Sequence, residues 1–116
     1  VMRSQLVGKK AEDVACSFLI KNGLVLVTRN YRCRFGEIDL VMKDADMLVF
    51  VEVRYRKNNI FGDGAESVDQ DKQRKLIFTA NQYLQEHPSS MPVRFDVIAL
   101  SADQTPQWIN NAFSDF

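Results

Sequence analysis

The sequence predicts an α/β fold in the order α-β-β-β-α-β, a central mixed sheet flanked by helices with a small strand at the end. Three observations carry this. Residues 5–22 and 68–86 repeat apolar or small side chains at helical spacing. Between them "GEIDLVMKDADMLVFVEVRYRK", residues 36–57, reads as two apolar strands joined by a polar turn. After the second helix, "RFDVIAL" is a further apolar strand.

The first helix is read from Gly8, Ala11, Ala15, Phe18 and Leu19, and Gly23 ends it. A short strand over 24–28 follows, then a basic connection over 30–35, then strands over 37–43 and 47–56. The segment "KNNIFGDGAE", 57–66, has two glycines and little periodicity, and is expected to be a mobile loop. The second helix is read from Val68, Leu76, Ile77, Ala80 and Leu84; it stops at "HPSS", where His87 caps or flanks its end. Strand 93–100 follows, and 108–113 adds an edge strand or packing arm. At 116 residues and 46% apolar composition, residues 1–116 make one domain with a single core.

No window approaches the ~18 consecutive apolar residues of a membrane span, and no signal-peptide pattern opens the chain. Cys16 and Cys33 have neither metal-ligand spacing nor disulfide-framework density, so free thiols in a cytoplasmic protein are expected. Zero net charge argues against a general nucleic-acid coat protein. The distribution is uneven, however: residues 1–57 hold 11 Lys/Arg against 7 Asp/Glu, and residues 58–116 hold 4 against 8. The cations Arg29, Arg32 and Arg34, and again Arg54, Arg56 and Lys57, suit a phosphate-facing patch or a solvated face.

The hairpin carries acids where a core strand should be apolar. If "DADM" is a four-residue turn with Asp44 closing on Met47, opposed residues have numbers summing to 91. Asp39 then faces Glu52, and Glu37 faces Arg54. Two carboxylates about 5 Å apart repel unless one is protonated or a cation lies between them. A hard divalent ion held by oxygen ligands with open positions is suited to polarising a phosphodiester and activating water. The competing reading is an ordinary cross-strand pair of Asp39 with Arg54 or Arg56. Glu12, beside the small-residue seam of the first helix, is placed to reach the rim of this face, or else to lie in solvent near Lys9. Lys72 and Lys75 give the second helix a basic first half. Asp96 is expected to pair with Arg94 or a nearby backbone group. Tyr31 and Phe35 stand among arginines, placed to stack on unpaired bases or to pack at the core edge.

Asp39 followed by Glu52-Val53-Arg54 on the next strand resembles the PD-(D/E)XK nuclease superfamily. More closely, "GKKAEDVACSFLIKNG", "RNYRCRFGEIDLV", "VFVEVRYR", "FGDGAESV", "RFDVIAL" and "NNAF" resemble the YraN family of small bacterial proteins, from Gly8 to Phe113. This implies a restriction-endonuclease-like fold akin to archaeal Holliday-junction resolvases. It implies Asp39 and Glu52 as ligands of Mg²⁺ or Mn²⁺, Glu12 as the helix acid, and Arg54 at the position the superfamily gives to lysine. Ile38 stands where that superfamily has proline. Arginine stabilises phosphate charge but is a poor general base; Lys9, Lys72 or Lys75 remain as sources of an amine. The expected function is metal-dependent cleavage of DNA, including branched or structured DNA; the alternative is nucleic-acid binding or scaffolding without cleavage. The expected partner is DNA, contacted by Arg32, Arg34, Arg56, Lys57, Lys72 and Lys75, with no membrane and with a homodimer allowed.

Overall fold

The computed structural model describes residues 2–55, 68–103 and 105–113, with side chains from residue 9 onward. Seven elements follow in order: α1 (Met2–Lys21), β1 (Val25–Cys33), β2 (Gly36–Asp44), β3 (Met47–Tyr55), α2 (Gln70–Glu86), β4 (Val93–Leu100) and β5 (Pro106–Phe113). Among the described residues the strands form one sheet in the order β1-β2-β3-β4-β5. Only the β3–β4 pairing is parallel, and the connection between those two strands contains α2. The expected mixed sheet is present, in an arrangement compatible with a restriction-endonuclease-like core. The 57–66 segment lies outside the described residues.

Each face of the sheet carries one helix. Ala11, Ala15, Cys16 and Leu19 of α1 pack on Leu40, Met42, Val49, Val51, Ile98 and Leu100. Leu76, Ala80 and Tyr83 of α2 pack on Ile38, Val41, Leu48, Phe50, Phe95 and Val97. Ala11 and Ala15 are the small seam read from the sequence, and they allow α1 to sit close to the strands. Gly23, at φ +96°, ends α1 as expected. The Leu24 N–H donates back to the Leu19 carbonyl, closing the last turn. The α2 N-terminus is capped by Asp69, whose carboxylate accepts from the Lys72 N–H at 2.8 Å. His87 is the C-cap and its N–H bonds to the Tyr83 carbonyl.

Two boundaries differ from the sequence reading. The basic segment 30–35 is mostly strand, because β1 continues to Cys33 and pairs with β2 as a hairpin. Its Arg, Asn and Tyr residues suit an edge strand with one face in water, where alternation is polar and hides the strand. The other end of the sheet is likewise longer, β5 beginning at Pro106 rather than 108.

The β2–β3 turn is as expected: Asp44 pairs with Met47, and every pair back to Leu40↔Val51 sums to 91. Beyond that pair the ladder ends, so Glu37 does not face Arg54. Here β2 also changes side. Ile38 packs with the α2 cluster and Leu40 with the α1 cluster, although residues two apart on a regular strand share a face. Across the β1 ladder, Asn30 occupies the position flanked by Arg29↔Leu40 and Tyr31↔Ile38, at φ +55°. Asparagine tolerates that left-handed conformation better than most residues. The hairpin therefore turns over at Asp39.

Asp96 is wholly buried in β4. It accepts two bonds from the Arg94 guanidinium and one each from Trp108 Nε1 and the Asn111 N–H, all at 2.9 Å. Register shifts between Phe95 and Val97, and Asn111 stands at φ +54°, so the carboxylate satisfies the N–H that the bulge takes out of the ladder. Arg94 also pairs with Asp44 at 3.0 Å. The expected Arg94 and backbone partners are both present, and Asp96 is a structural residue.

Candidate metal and nucleic-acid site

Where β2 and β3 part, the chain is short of backbone partners and the acids take their place. Asp39 Oδ2 accepts the Val53 N–H at 2.8 Å, continuing the ladder through a side chain. The ladder stops one pair short of Asp39 and Glu52, but the Glu52 carboxyl is the charged neighbour that acts on Asp39. Burial is the main cause that pushes Asp39 up to about 9, and the Glu52 charge is the next. At neutral pH Asp39 therefore keeps its proton unless a cation replaces it.

Glu12 joins this centre. Glu12, Glu37 and Asp39 each offer one carboxylate oxygen, with the three atoms within 4.8 Å of one another. Glu12 is also 3.5 Å from Arg29, which bonds Asp13 at 2.8 Å. Glu37 pairs with Arg32. Thus the rim placement of Glu12 holds, while Glu37 joins the acids rather than Arg54. The signal for Glu37 lay in its spacing, two residues before Asp39, and extending the β2–β3 ladder too far concealed it. Oxygen donors alone, partly buried and converging from α1 and β2 beside Glu52 of β3, fit a hard divalent cation such as Mg²⁺ or Mn²⁺.

Glu52 is 5% exposed, and two cations reach its Oε2. Arg54 Nη1 lies 3.4 Å away, and so does Lys72 Nζ. A lysine ammonium therefore stands beside the strand acid although Arg54 fills the sequence position. It arrives from the first turn of α2, where the Asp69 cap fixes the helix start. Lys9 and Lys75 are exposed. Arg34 places its guanidinium 4.8 Å from the Phe35 ring centroid. Arg56 and Lys57 lie outside the described residues. Tyr31 packs edge-on against Tyr83 and donates to Glu86 at 2.7 Å, so it belongs to the core edge. Cys16 and Cys33 are free thiols. No helix among the described residues is long and apolar enough to cross a membrane.

Asp39→Asn separates the proton from the fold. Folding takes up a proton on Asp39, because its carboxyl goes from an ordinary value of 3.8 to about 9. That contribution is complete below pH 3.8 and is lost as pH rises through about 9. With a chelator present, wild-type melting temperature should fall across that window more than that of Asp39→Asn. At the alkaline end the variant should melt several degrees higher, about 1–2 kcal/mol at roughly 4 °C per kcal/mol. Parallel pH profiles would show that Asp39 is ionised in the fold.

The sequence model of the uncharacterised protein family UPF0102 matches residues 11–100. A UPF0102 protein of Psychromonas ingrahamii is 52% identical over 109 residues, covering 93% of this chain and 89% of its own length. Another, from Methylobacillus flagellatus, is 53% identical over 110 residues, covering 93% of this chain and 96% of its own. A third, from Nitrosospira multiformis, is 49% identical over 114 residues and covers 97% and 96% respectively. The family match spans the second half of α1, all of α2 and the first four strands, with every acid of the centre inside it, and the chain belongs to the UPF0102 family.

Proposed function

We propose that this protein is a divalent-metal-dependent nuclease that hydrolyses phosphodiester bonds in branched or otherwise structured DNA. The observation that carries the reading is the contact of Asp39 with Glu52 at the end of the β2–β3 ladder, with Glu12 converging on it and Lys72 on Glu52. Asp39 and Glu52 would hold the ion, with Glu12 and Glu37 completing the oxygen set. A cation bound there would supply Lewis-acid polarisation of the phosphate and an acidified water.

The chain's own groups have distinct tasks. Arg54 stays charged and offers its guanidinium to the phosphate oxygens. Lys72 brings an amine able to hold or pass a proton, which Arg54 cannot do. Glu52 orients both cations through its Oε2. Arg54 at the lysine position favours a second reading, a nucleic-acid-binding protein that does not cleave; Lys72 Nζ at 3.4 Å from Glu52 favours the first.

Single-turnover cleavage of linear, flapped and four-way-junction DNA with Mn²⁺ tests this. Lys72→Arg is expected to bind DNA as wild type does but cleave about a hundred-fold more slowly, since the charge remains and the proton relay does not. Full activity in Lys72→Arg would remove Lys72 from the chemistry. Binding without cleavage by the wild type in every metal would establish the second reading.

A further inference from the structure

We propose that Phe35, Phe78 and the guanidinium of Arg34 form a stacking platform for unpaired nucleobases beside the carboxylate centre. The inference rests on the DNA reading above and narrows its substrate to DNA that presents unpaired bases. Five rings on the α2 side are consumed by the core: Tyr31, Phe50, Tyr83, Phe95 and Phe113. Phe35 and Phe78 belong to neither core cluster. Phe78 is 49% exposed on α2, directly before the wholly buried Thr79. Its ring lies 5.5 Å from that of Phe35 at a 34° tilt, and Arg34 covers Phe35 with its guanidinium carbon 4.8 Å from the centroid. A paired aromatic surface with a guanidinium plane, open to water, is the chemistry that holds bases by stacking.

Its position ties it to the acids. Gly36, the first residue of β2, joins Phe35 to Glu37, so one residue separates the platform from the first acid of that strand. Gly36 stands at φ +152°, and a Cβ there would lie 3.4 Å from Thr79 Oγ1, so the turn is seated close against α2. On α2, Lys72 at Glu52 and Phe78 on the platform are about 9 Å apart along the helix axis. Exposed Lys75 lies between them in sequence. A strand with its bases on Phe78 would thus run its phosphates past Lys75 toward Lys72. Paired bases are stacked inside the duplex and offer no free face, so the platform selects gaps, flaps and open junction centres.

The test is fluorescence anisotropy in EDTA, where cleavage plays no part, using a single strand, a gapped duplex and a fully paired duplex. Wild type should prefer the two DNAs with unpaired bases. Phe78→Ala should weaken binding to those two about ten-fold and leave the paired duplex unchanged. Phe78→Trp should retain the affinity, and its indole emission should be quenched on binding. Because Phe78 is half in water, both variants should melt with the wild type. Unchanged single-strand affinity in Phe78→Ala, an equal loss on the paired duplex, or unquenched Phe78→Trp would each overturn the platform. Cleavage with such a result would leave the nuclease reading standing; stacking without cleavage in any metal would leave only the platform.

Discussion

Alanine in place of Asp39 or Glu52 should lower metal-dependent cleavage of junction DNA by about 10³-fold or more, roughly 4 kcal/mol at 1.36 kcal/mol per decade. The two substitutions remove different things. Asp39→Ala also removes the acceptor of the Val53 N–H, so the parting ends of β2 and β3 lose a support. Asp39→Asn keeps an oxygen for that bond while removing the anionic donor, and should be equally inactive but well folded. Glu52→Gln removes the carboxylate that both Arg54 and Lys72 approach at 3.4 Å. It should therefore lose cleavage and weaken the positioning of both cations. Combining the two substitutions should cost little more than either alone, because one centre is being removed twice. Cleavage that survives both would refute the site.

The second large effect is on folding. Asp96→Ala takes the shared acceptor from the Trp108 indole N–H and the Asn111 N–H, and leaves Asp44 as the carboxylate on the Arg94 guanidinium. Removing one partner of a buried ion pair typically costs about 3–5 kcal/mol. A domain of this size is stable by about 5–15 kcal/mol in total. A fall in melting temperature of at least ~10 °C is expected, followed by circular dichroism. Asp96→Asn, which keeps one oxygen acceptor, should fall by less. Wild-type melting in Asp96→Ala would show that the bulge of β5 does not depend on this carboxylate.

Most of the fold could be read from periodicity. The helices, the β2–β3 register and the 93–100 strand follow from apolar spacing and one four-residue turn. What escaped was polar: the Cys33 end of β1 faces water, so its arginines resembled a loop. Asp39 and Glu52 were legible because apolar strands made their charges conspicuous. Glu37 was not, because its place depends on the left-handed Asn30 and on where the ladder stops. Lys72 could be named but not placed, as its approach to Glu52 depends on how α2 crosses the sheet. The Phe35–Phe78 pair joins residues 43 apart, and no local pattern links them.

The proposed nuclease needs the acids at the end of the β2–β3 ladder to hold a divalent ion. Isothermal titration of Mn²⁺ into the wild type, in two buffers of different ionisation heat at neutral pH, measures both the ion and the proton it displaces. Binding with release of about one proton per ion is predicted, the proton coming from Asp39, and both signals should vanish in Asp39→Asn and Glu52→Gln. Absence of divalent-ion binding by the wild type, or binding that persists in both variants, would show that Asp39 and Glu52 do not form a metal site.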